Sequence, residues 1–252
     1  MLIQYLLLIL MMLTFLIIFS KKQVYKTIHH KQIVPYSEEY IPIYEMITYK
    51  LDRYEYELNI TQSNMSSSSH VLDVGSGLGY HVNALNEKGI STIGLDSSKA
   101  MIQYSKQKYP YTFIHGNVMS TSLFPEHSFT HITCFYYTLY YVLDKETFLK
   151  NIHYWLEEDG FLFIHGVHEW NYEVPMTGDI TYESSFQQSI LKEKITYHQQ
   201  TYMVHHVLYM ISKQELILLA KKCNFKYIHE YSYSHNYIIM FQREIPIYDN
   251  IQ

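Results

Sequence analysis

The segment from Val71 to Gly79 constrains this chain more than any other. It reads VLDVGSGLG, a short apolar run followed by an acid at Asp73 and by glycines at positions 75, 77 and 79. Glycine allows a tight turn and lets the backbone approach a ligand without interference from a Cβ atom. Residues Val82 to Lys88 suit a helix whose N-terminus would point at that ligand. The segment therefore predicts a strand, a ligand-binding turn and a helix.

A second acid follows the next predicted strand. Residues Ser91 to Leu95 form that strand, and Asp96 ends it. A carboxylate at this position can accept hydrogen bonds from both hydroxyls of a ribose, as it does in doubly wound folds. The two segments together predict a nucleotide-type cofactor on an α/β sheet. The dinucleotide fingerprint would need a glycine at position 80, where this chain has Tyr80.

Glycines in the order G-x-G-x-G, with an acid two residues before the first, resemble motif I of the class I S-adenosylmethionine-dependent methyltransferases. The resemblance extends roughly from Ile41 to Arg243. It implies a Rossmann-like fold, S-adenosyl-L-methionine as the cofactor and methyl transfer as the reaction. It also implies a set of cofactor-binding residues, which are Tyr44, Asp73, Gly75, Gly77, Gly79, Asp96, Ser97, Asn117 and Phe135.

The same resemblance assigns each of these residues to one part of the cofactor. The glycine loop would hold the methionine end, with Asp73 positioning the loop and the amino group. Asp96 would bind the ribose hydroxyls, and Ser97 would lie beside the adenine. Phe135 would pack near the sulfonium, and Tyr44 would close over the carboxylate.

Two positions depart from the pattern of this family. Asn117 stands where the family usually has an Asp that reads the adenine amino group, and its side-chain carbonyl can accept the same hydrogen bond. Thr130 stands at the start of the predicted fourth strand, where an acid is common and often structural. These departures favour, as an alternative, a non-catalytic binding or scaffold module on the same fold.

The reaction needs a base only if the acceptor must lose a proton. His165 and His168, at the end of the predicted fifth strand, are the first candidates, and Tyr140 and Tyr141 are the second. We expect no metal site, because the pair His165-x-x-His168 has no third ligand. The histidine pairs at 29–30 and 205–206 are interpreted as solvated.

The remaining sequence alternates strands with helices, which predicts an α/β, doubly wound, mostly parallel seven-stranded sheet with a C-terminal antiparallel hairpin. A long insert, residues 169–211, is expected to roof the acceptor pocket, with a strand pair or lid edge at 195–208. The other predicted helices and strands are a helix over 43–58, strands at 112–115, 129–136 and 161–167, helices at 98–108, 145–156 and 212–222, and strands at 226–231 and 237–242.

The N-terminus reads as a membrane anchor. Residues Leu2 to Phe19 carry no charge, and Lys21 and Lys22 follow directly. The length is just sufficient to cross a bilayer, and the lysines on the C-terminal side predict a globular part in the cytosol. A cleaved signal peptide would need basic residues before the apolar run, and none is present. The predicted organisation is an anchor at 1–20, a basic tether at 21–34 and a methyltransferase domain at 35–252.

The sequence predicts an enzyme that methylates a small or lipophilic acceptor at the cytosolic face of a membrane. The net charge of −5 argues against a nucleic-acid partner, and the chain lacks the acceptor-amine motif Asn-Pro-Pro-Tyr after the fourth strand. A lipid acceptor is favoured because a tethered enzyme reaches only a short distance from its membrane. A nicotinamide-dependent oxidoreductase is a third interpretation, against which Tyr80 and the terminal hairpin argue.

Overall fold

The computed structural model of the protein describes residues 29–48, 51–168, 180–198 and 200–245. The predicted anchor, Leu2 to Phe19, and residues 169–179 of the insert lie outside these ranges. Across the described ranges, no helix has the length and apolar character needed to cross a membrane.

The described strands and helices follow the predicted alternation from Val71 onward. The strands are β1 (His29–Ile33), β2 (His70–Val74), β3 (Ser91–Asp96), β4 (Phe113–His115), β5 (Phe129–Cys134), β6 (Leu156–Val167), β7 (Thr181–Gln187), β8 (Ile190–Tyr197), β9 (Gln200–Val207), β10 (Phe225–Tyr233) and β11 (Asn236–Arg243). The α-helices are α1 (Ile41–Thr48), α2 (Leu51–Gln62), α3 (Tyr80–Glu87), α4 (Lys99–Lys108), α5 (Lys145–Trp155) and α6 (Lys213–Lys222), and short 3₁₀ helices cover Thr121–Leu123 and Thr138–Tyr141.

A seven-stranded sheet forms the centre of the domain, in the order β10-β11-β6-β5-β2-β3-β4. Strands β2 to β6 are parallel, and β11 runs antiparallel to β6, as predicted. The chain leaves β2 toward β3 and β4 on one side and returns to β5 and β6 on the other. The carboxyl end of β2 is therefore the topological switch point, where ligands bind in open α/β sheets.

The insert forms a second sheet, in the order β1-β9-β8-β7. The strand pair predicted near 195–208 is present as β8 and β9, and β7 extends it as an antiparallel meander. The tether predicted at 21–34 is wrong at its end, because β1 pairs in parallel with β9. Ile33 is buried in a cluster with Tyr40, Ile195 and Val204. This apolar contact holds β1 on the second sheet, and the polar, basic composition of residues 21–34 did not indicate it.

Within the helix predicted from Ile43 to Leu58 the structure describes α1 and α2, and residues 49–50 between them lie outside the described ranges. The two halves bury their apolar residues against different partners. Ile43 and Ile47 of α1 pack on the second sheet, whereas Leu58 of α2 packs with Val71 and Leu85 of the central domain. The N-terminal segment therefore joins the two sheets.

Local signals in the sequence account for several helix starts. Ser98 caps α4 by accepting a hydrogen bond from the Met101 amide, and Ser212 with Glu215 forms the predicted capping box of α6. Thr130 is structural, as expected, because its hydroxyl bonds both backbone groups of His70.

We predict that Ile33→Ala destabilises the second sheet and that Val34→Ala does not. Ile33 is 4% exposed and Val34 is 71% exposed, so only the first substitution leaves a cavity, at a cost of about 2–5 kcal/mol. Urea denaturation, with amide exchange of β9 as a local measure, tests the difference. Equal stabilities of the two variants would mean that β1 is not part of the fold.

Candidate functional site

The glycine loop between β2 and α3 lies against the ends of β3 and β5. The Gly75 amide donates to the Leu95 carbonyl at 2.8 Å, and the Gly77 amide donates to the Asp96 carboxylate at 2.9 Å. Gly75 has φ of 72°, and a Cβ atom built on it would lie 2.2 Å from the Thr138 hydroxyl. Glycine is therefore required here both by conformation and by space.

Asp96 presents a fixed carboxylate at the end of β3. One oxygen accepts from the Gly77 amide, and the other accepts from the Ser98 amide at 2.7 Å. These bonds orient the group and leave a second lone pair on each oxygen. Burial raises the pKa of Asp96, and the two amide bonds oppose that rise. This carboxylate suits a ligand that offers two adjacent hydroxyl donors.

Asp73, at the end of β2, is almost completely buried. The Thr133 hydroxyl of β5 donates to it at 2.7 Å. Burial raises the pKa of Asp73 to about 6, against the opposing influence of His81 and the Thr133 bond. The carboxyl group thus forms a polar floor beneath the glycine loop.

Three adjoining clefts meet at Gly75 and form one groove along the carboxyl ends of the strands. The first cleft is lined by Tyr44, Arg53, Asp73 and Phe135, among others. The middle cleft is lined by Tyr36, Tyr44, Gly75, Gly77, Asp96, Ser97, Tyr136, Thr138 and Tyr141. The far cleft runs from Asp96 and Ser97 to Asn117, Met119 and Leu143.

The groove brings together the residues that the sequence assigned to the cofactor, with one exception. Gly79 lies behind the loop, where a Cβ atom would come within 2.8 Å of the Phe113 ring. Its role is to let the loop pack on the sheet. Asn117 lies in the far cleft, and its side-chain oxygen accepts from the Met119 amide at 3.0 Å, which holds the amide group in place.

The two histidines proposed as bases do not line these clefts. His165 is 1% exposed, and its Nδ1 lies 2.9 Å from Oε1 of Glu57 on α2. His168 is exposed, and its ring lies beside that of Tyr237. The inward pleat of β6 directs His165 into the protein rather than toward a substrate, so the geometry does not place either imidazole at the reacting atoms.

One of the histidines interpreted as solvated is buried. His205 of β9 is exposed as expected, but His206 is 3% exposed. Successive side chains of a strand point to opposite faces, which accounts for the different exposure of His205 and His206. The inward member, His206, lies 2.8 Å from the buried Glu193.

Sequence reasoning also missed Arg53, which lines the first cleft. Its guanidinium carbon lies 3.8 Å from the centroid of the Tyr136 ring, and Nη2 donates to the Thr48 carbonyl at 2.9 Å. The one available signal was scarcity, since Arg53 and Arg243 are the only arginines in the chain. A planar cation at this end of the groove suits a carboxylate ligand.

A buried carboxylate supports Arg53 from below. Glu57 lies 2.9 Å from His81 and 3.6 Å from Arg53. Burial alone would raise the pKa of Glu57, but its close contacts with the rings of His165 and His81 and the charge of Arg53 hold that pKa well below its usual range. The cluster ties α2 to α3 and β6 beneath the first cleft.

Comparison with known proteins agrees with this geometry. Residues 72–164 match the family model described as a methyltransferase domain. No curated protein sequence matches the chain significantly. Over the described part of the chain, no group of acidic, histidine and cysteine side chains is arranged to hold a metal ion.

Solved methyltransferases share the fold at low sequence identity. The CcbJ methyltransferase from Streptomyces caelestis is 12% identical, with a TM-score of 0.65 over 84% of this chain and 99% of that one. CalS10, an amino pentose methyltransferase from Micromonospora echinaspora solved with S-adenosylmethionine bound, is 15% identical, with a TM-score of 0.60 over 85% and 100%. The sugar N-methyltransferase KedS8 from Streptoalloteichus sp ATCC 53650 is 14% identical, with a TM-score of 0.60 over 82% and 93%.

We predict that Asp73→Asn stabilises the ligand-free protein and that the gain grows with pH. The pKa of Asp73 rises from 3.8 to about 6 on folding, so the folded state binds the proton more tightly than the unfolded chain. Wild-type stability therefore falls as the pH rises through this window. Asparagine stays neutral, so its advantage should reach about 3 kcal/mol at pH 8 and vanish near pH 3.

Urea denaturation at several pH values measures this difference, with Asp159→Asn as a matched control on the exposed bend of β6. The control should show no comparable trend. A difference between Asp73→Asn and wild type that stays constant with pH would contradict the raised pKa.

Proposed function

We propose that this chain, a methyltransferase whose cofactor is S-adenosyl-L-methionine, methylates a small or lipophilic acceptor at the cytosolic face of a membrane. The observation that carries the proposal is the continuous groove at the switch point of the sheet. It holds a glycine loop in which a side chain at position 75 would collide with Thr138, a fixed carboxylate at Asp96 and a cation at Arg53.

The residues of the groove fit the parts of this cofactor in order. Asp96 would bind the ribose hydroxyls, and Ser97 and Asn117 would flank the adenine in the far cleft. The glycine loop, with Asp73 beneath it, would lie against the amino-acid end. Arg53 and Tyr44 would bind its carboxylate in the first cleft, where a guanidinium offers paired donors.

The cofactor supplies an activated methyl group, so the protein contributes mainly alignment and exclusion of water. Four tyrosines line the middle cleft: Tyr44 of α1, Tyr36 from the segment before that helix, Tyr141 of the 3₁₀ helix, and Tyr136. An acceptor would enter here, between the insert and the glycine loop. The names of CalS10 and KedS8 refer to sugar substrates, which supports a small-molecule acceptor.

The membrane part of the proposal rests on the apolar run from Leu2 to Phe19 and the lysines that follow it. Because β1 begins at His29, only residues 20–28 separate this run from the second sheet. A chain of that length spans at most about 30 Å. The insert, rather than the opposite edge of the domain, would then face the membrane, which favours a lipid or isoprenoid acceptor.

Binding of the cofactor product separates the roles of Asp96 and Arg53. We expect Asp96→Asn to weaken both S-adenosylhomocysteine and 5′-methylthioadenosine at least tenfold, because both ligands carry the ribose. We expect Arg53→Gln to weaken S-adenosylhomocysteine by about 10- to 100-fold and to leave methylthioadenosine within threefold, because the latter has no carboxylate. Calorimetric titration of the full chain measures these affinities.

Asp159→Asn is the control for this titration and should bind both ligands as wild type does. Equal losses for both ligands in Arg53→Gln would refute the assignment of the carboxylate. A folded wild type that binds neither ligand would support the scaffold alternative. A panel of isoprenoid phenols, membrane lipids and amino sugars then identifies the acceptor.

If residues 1–20 anchor the protein, it should be found in the membrane fraction of a cell extract. The full chain should remain with membranes after alkaline carbonate extraction, and a variant lacking residues 1–20 should be released. Release of the full chain would refute the proposed membrane location and, with it, the argument for a lipid acceptor.

A further inference from the structure

A chain of hydrogen bonds connects the second sheet to the wall of the middle cleft. Its inner end is Glu193 of β8, which is 3% exposed. This carboxylate accepts from the hydroxyls of Tyr40 at 2.7 Å and Tyr182 at 2.8 Å, and it lies 2.8 Å from Nε2 of His206. A buried carboxylate is costly unless it is fully partnered, and here three groups surround it.

The other side of His206 leads to the cleft. Its Nδ1 lies 2.9 Å from the hydroxyl of Tyr141, and that hydroxyl in turn accepts from Tyr36 at 2.7 Å. Tyr36 and Tyr141 both line the middle cleft together with Gly77 and Asp96. The series of hydrogen bonds therefore begins at the buried Glu193 carboxylate and ends at the Tyr141 and Tyr36 hydroxyls in the middle cleft.

The direction of each hydrogen bond follows from the number of protons. A carboxylate only accepts, so Nε2 of His206 carries a proton and donates to Glu193, and Nδ1 is the nitrogen that is left to accept from Tyr141. Tyr141 has one proton and gives it to Nδ1, because its oxygen already accepts from Tyr36. The chain is therefore polarised from the cleft toward Glu193.

The hydroxyl groups suit this role because they stay protonated. Burial raises the pKa of Tyr36, and the nearby tyrosines reinforce the rise. Burial also raises the pKa of Tyr40 and Tyr141. The charged or titratable groups that face His206 are Glu193 from β8, Tyr141 from the 3₁₀ helix and Tyr36 and Tyr40 from the segment before α1. Glu193 is the one acid among them.

We propose that Tyr36 and Tyr141 bind the hydrogen of the acceptor group and that His206, oriented by Glu193, takes up its proton during methyl transfer. The proposal deepens the proposed function and rests on it. Neither His165 nor His168 lines the groove, whereas His206 is connected to it by hydrogen bonds through Tyr141 and Tyr36.

The proton and electron balance is complete. A lone pair on the acceptor atom forms the bond to the methyl carbon, and the bond between carbon and sulfur breaks with its electron pair left on sulfur. The acceptor proton moves to the Tyr36 oxygen, Tyr36 passes its proton to Tyr141, and Tyr141 passes its proton to Nδ1 of His206. The product is an imidazolium beside the Glu193 carboxylate, and the proton returns to water by the same route after release.

This relay narrows the acceptor to a group that must lose a proton to be methylated. A hydroxyl or a thiol meets that condition because it loses its proton as a lone pair attacks the methyl carbon, and an ammonium group meets it because loss of a proton exposes its lone pair. A thioether or an electron-rich carbon that keeps its hydrogens until a later step would gain nothing from it. The inference is therefore an acceptor whose oxygen, sulfur or nitrogen atom carries a proton that must leave.

The first test reads the protonation of His206 and does not require the acceptor. Nitrogen-15 NMR of histidine-labelled full chain, free and with S-adenosylhomocysteine, should show a neutral ring with its proton on Nε2. Tyr141→Phe should shift the Nδ1 resonance, since it removes the donor. A proton on Nδ1, or an Nδ1 resonance insensitive to Tyr141→Phe, would overturn the relay.

The second test uses the acceptor found in the panel. His206→Gln keeps a donor toward Glu193 but cannot take up a proton, and we expect it to lower kcat by about 10²- to 10⁴-fold while KM and the affinity for S-adenosylhomocysteine stay within threefold. Tyr202 lies on the same strand but takes no part in these hydrogen bonds, so Tyr202→Phe should retain the wild-type kcat.

Two results would overturn the relay in this test. One is a wild-type kcat in His206→Gln, and the other is a parallel loss of kcat and S-adenosylhomocysteine affinity, which a structural role would give. Failure of wild type to bind S-adenosylhomocysteine would instead defeat the proposed function, and the NMR result on the free protein would still decide the hydrogen-bond direction.

Discussion

The close contact between the glycine loop and the ends of the neighbouring strands determines the rest of the site. Gly75 bonds the end of β3, and the Thr138 side chain fills the space where its Cβ would lie. The same loop fixes the Asp96 carboxylate through the Gly77 amide. Since the three clefts all share Gly75, a shift of this loop would change the whole groove.

Two buried carboxylates hold the remaining parts of the domain against this centre. Glu57 joins α2 to α3 and β6 beneath the first cleft through His81 and His165. Glu193 joins the second sheet to the middle cleft through Tyr40 and His206. Each carboxylate needs several partners to offset its desolvation, which explains why tyrosine and histidine side chains gather at these two places.

The sequence predicted the central sheet well and the second sheet in part. The apolar runs of β2, β3 and β5, the capping box at Ser212 and the closing hairpin are local patterns, and each was found where expected. The pairing of β1 with β9 was not predicted, because it joins segments far apart in the chain. The different packing partners of α1 and α2 depend on tertiary contacts, and periodicity alone does not predict them.

By itself the sequence determined the fold class and most of the residues that line the groove, because glycines and an acid at fixed spacing act through the local backbone. Only the tertiary structure decided which histidine approaches the groove. His165 and His206 are equally visible in the sequence, yet one is turned toward Glu57 and the other is linked to Tyr141. The distinction arises from strand pleat and from contacts between distant residues, such as the one between Glu193 and His206, and no local pattern carries that information.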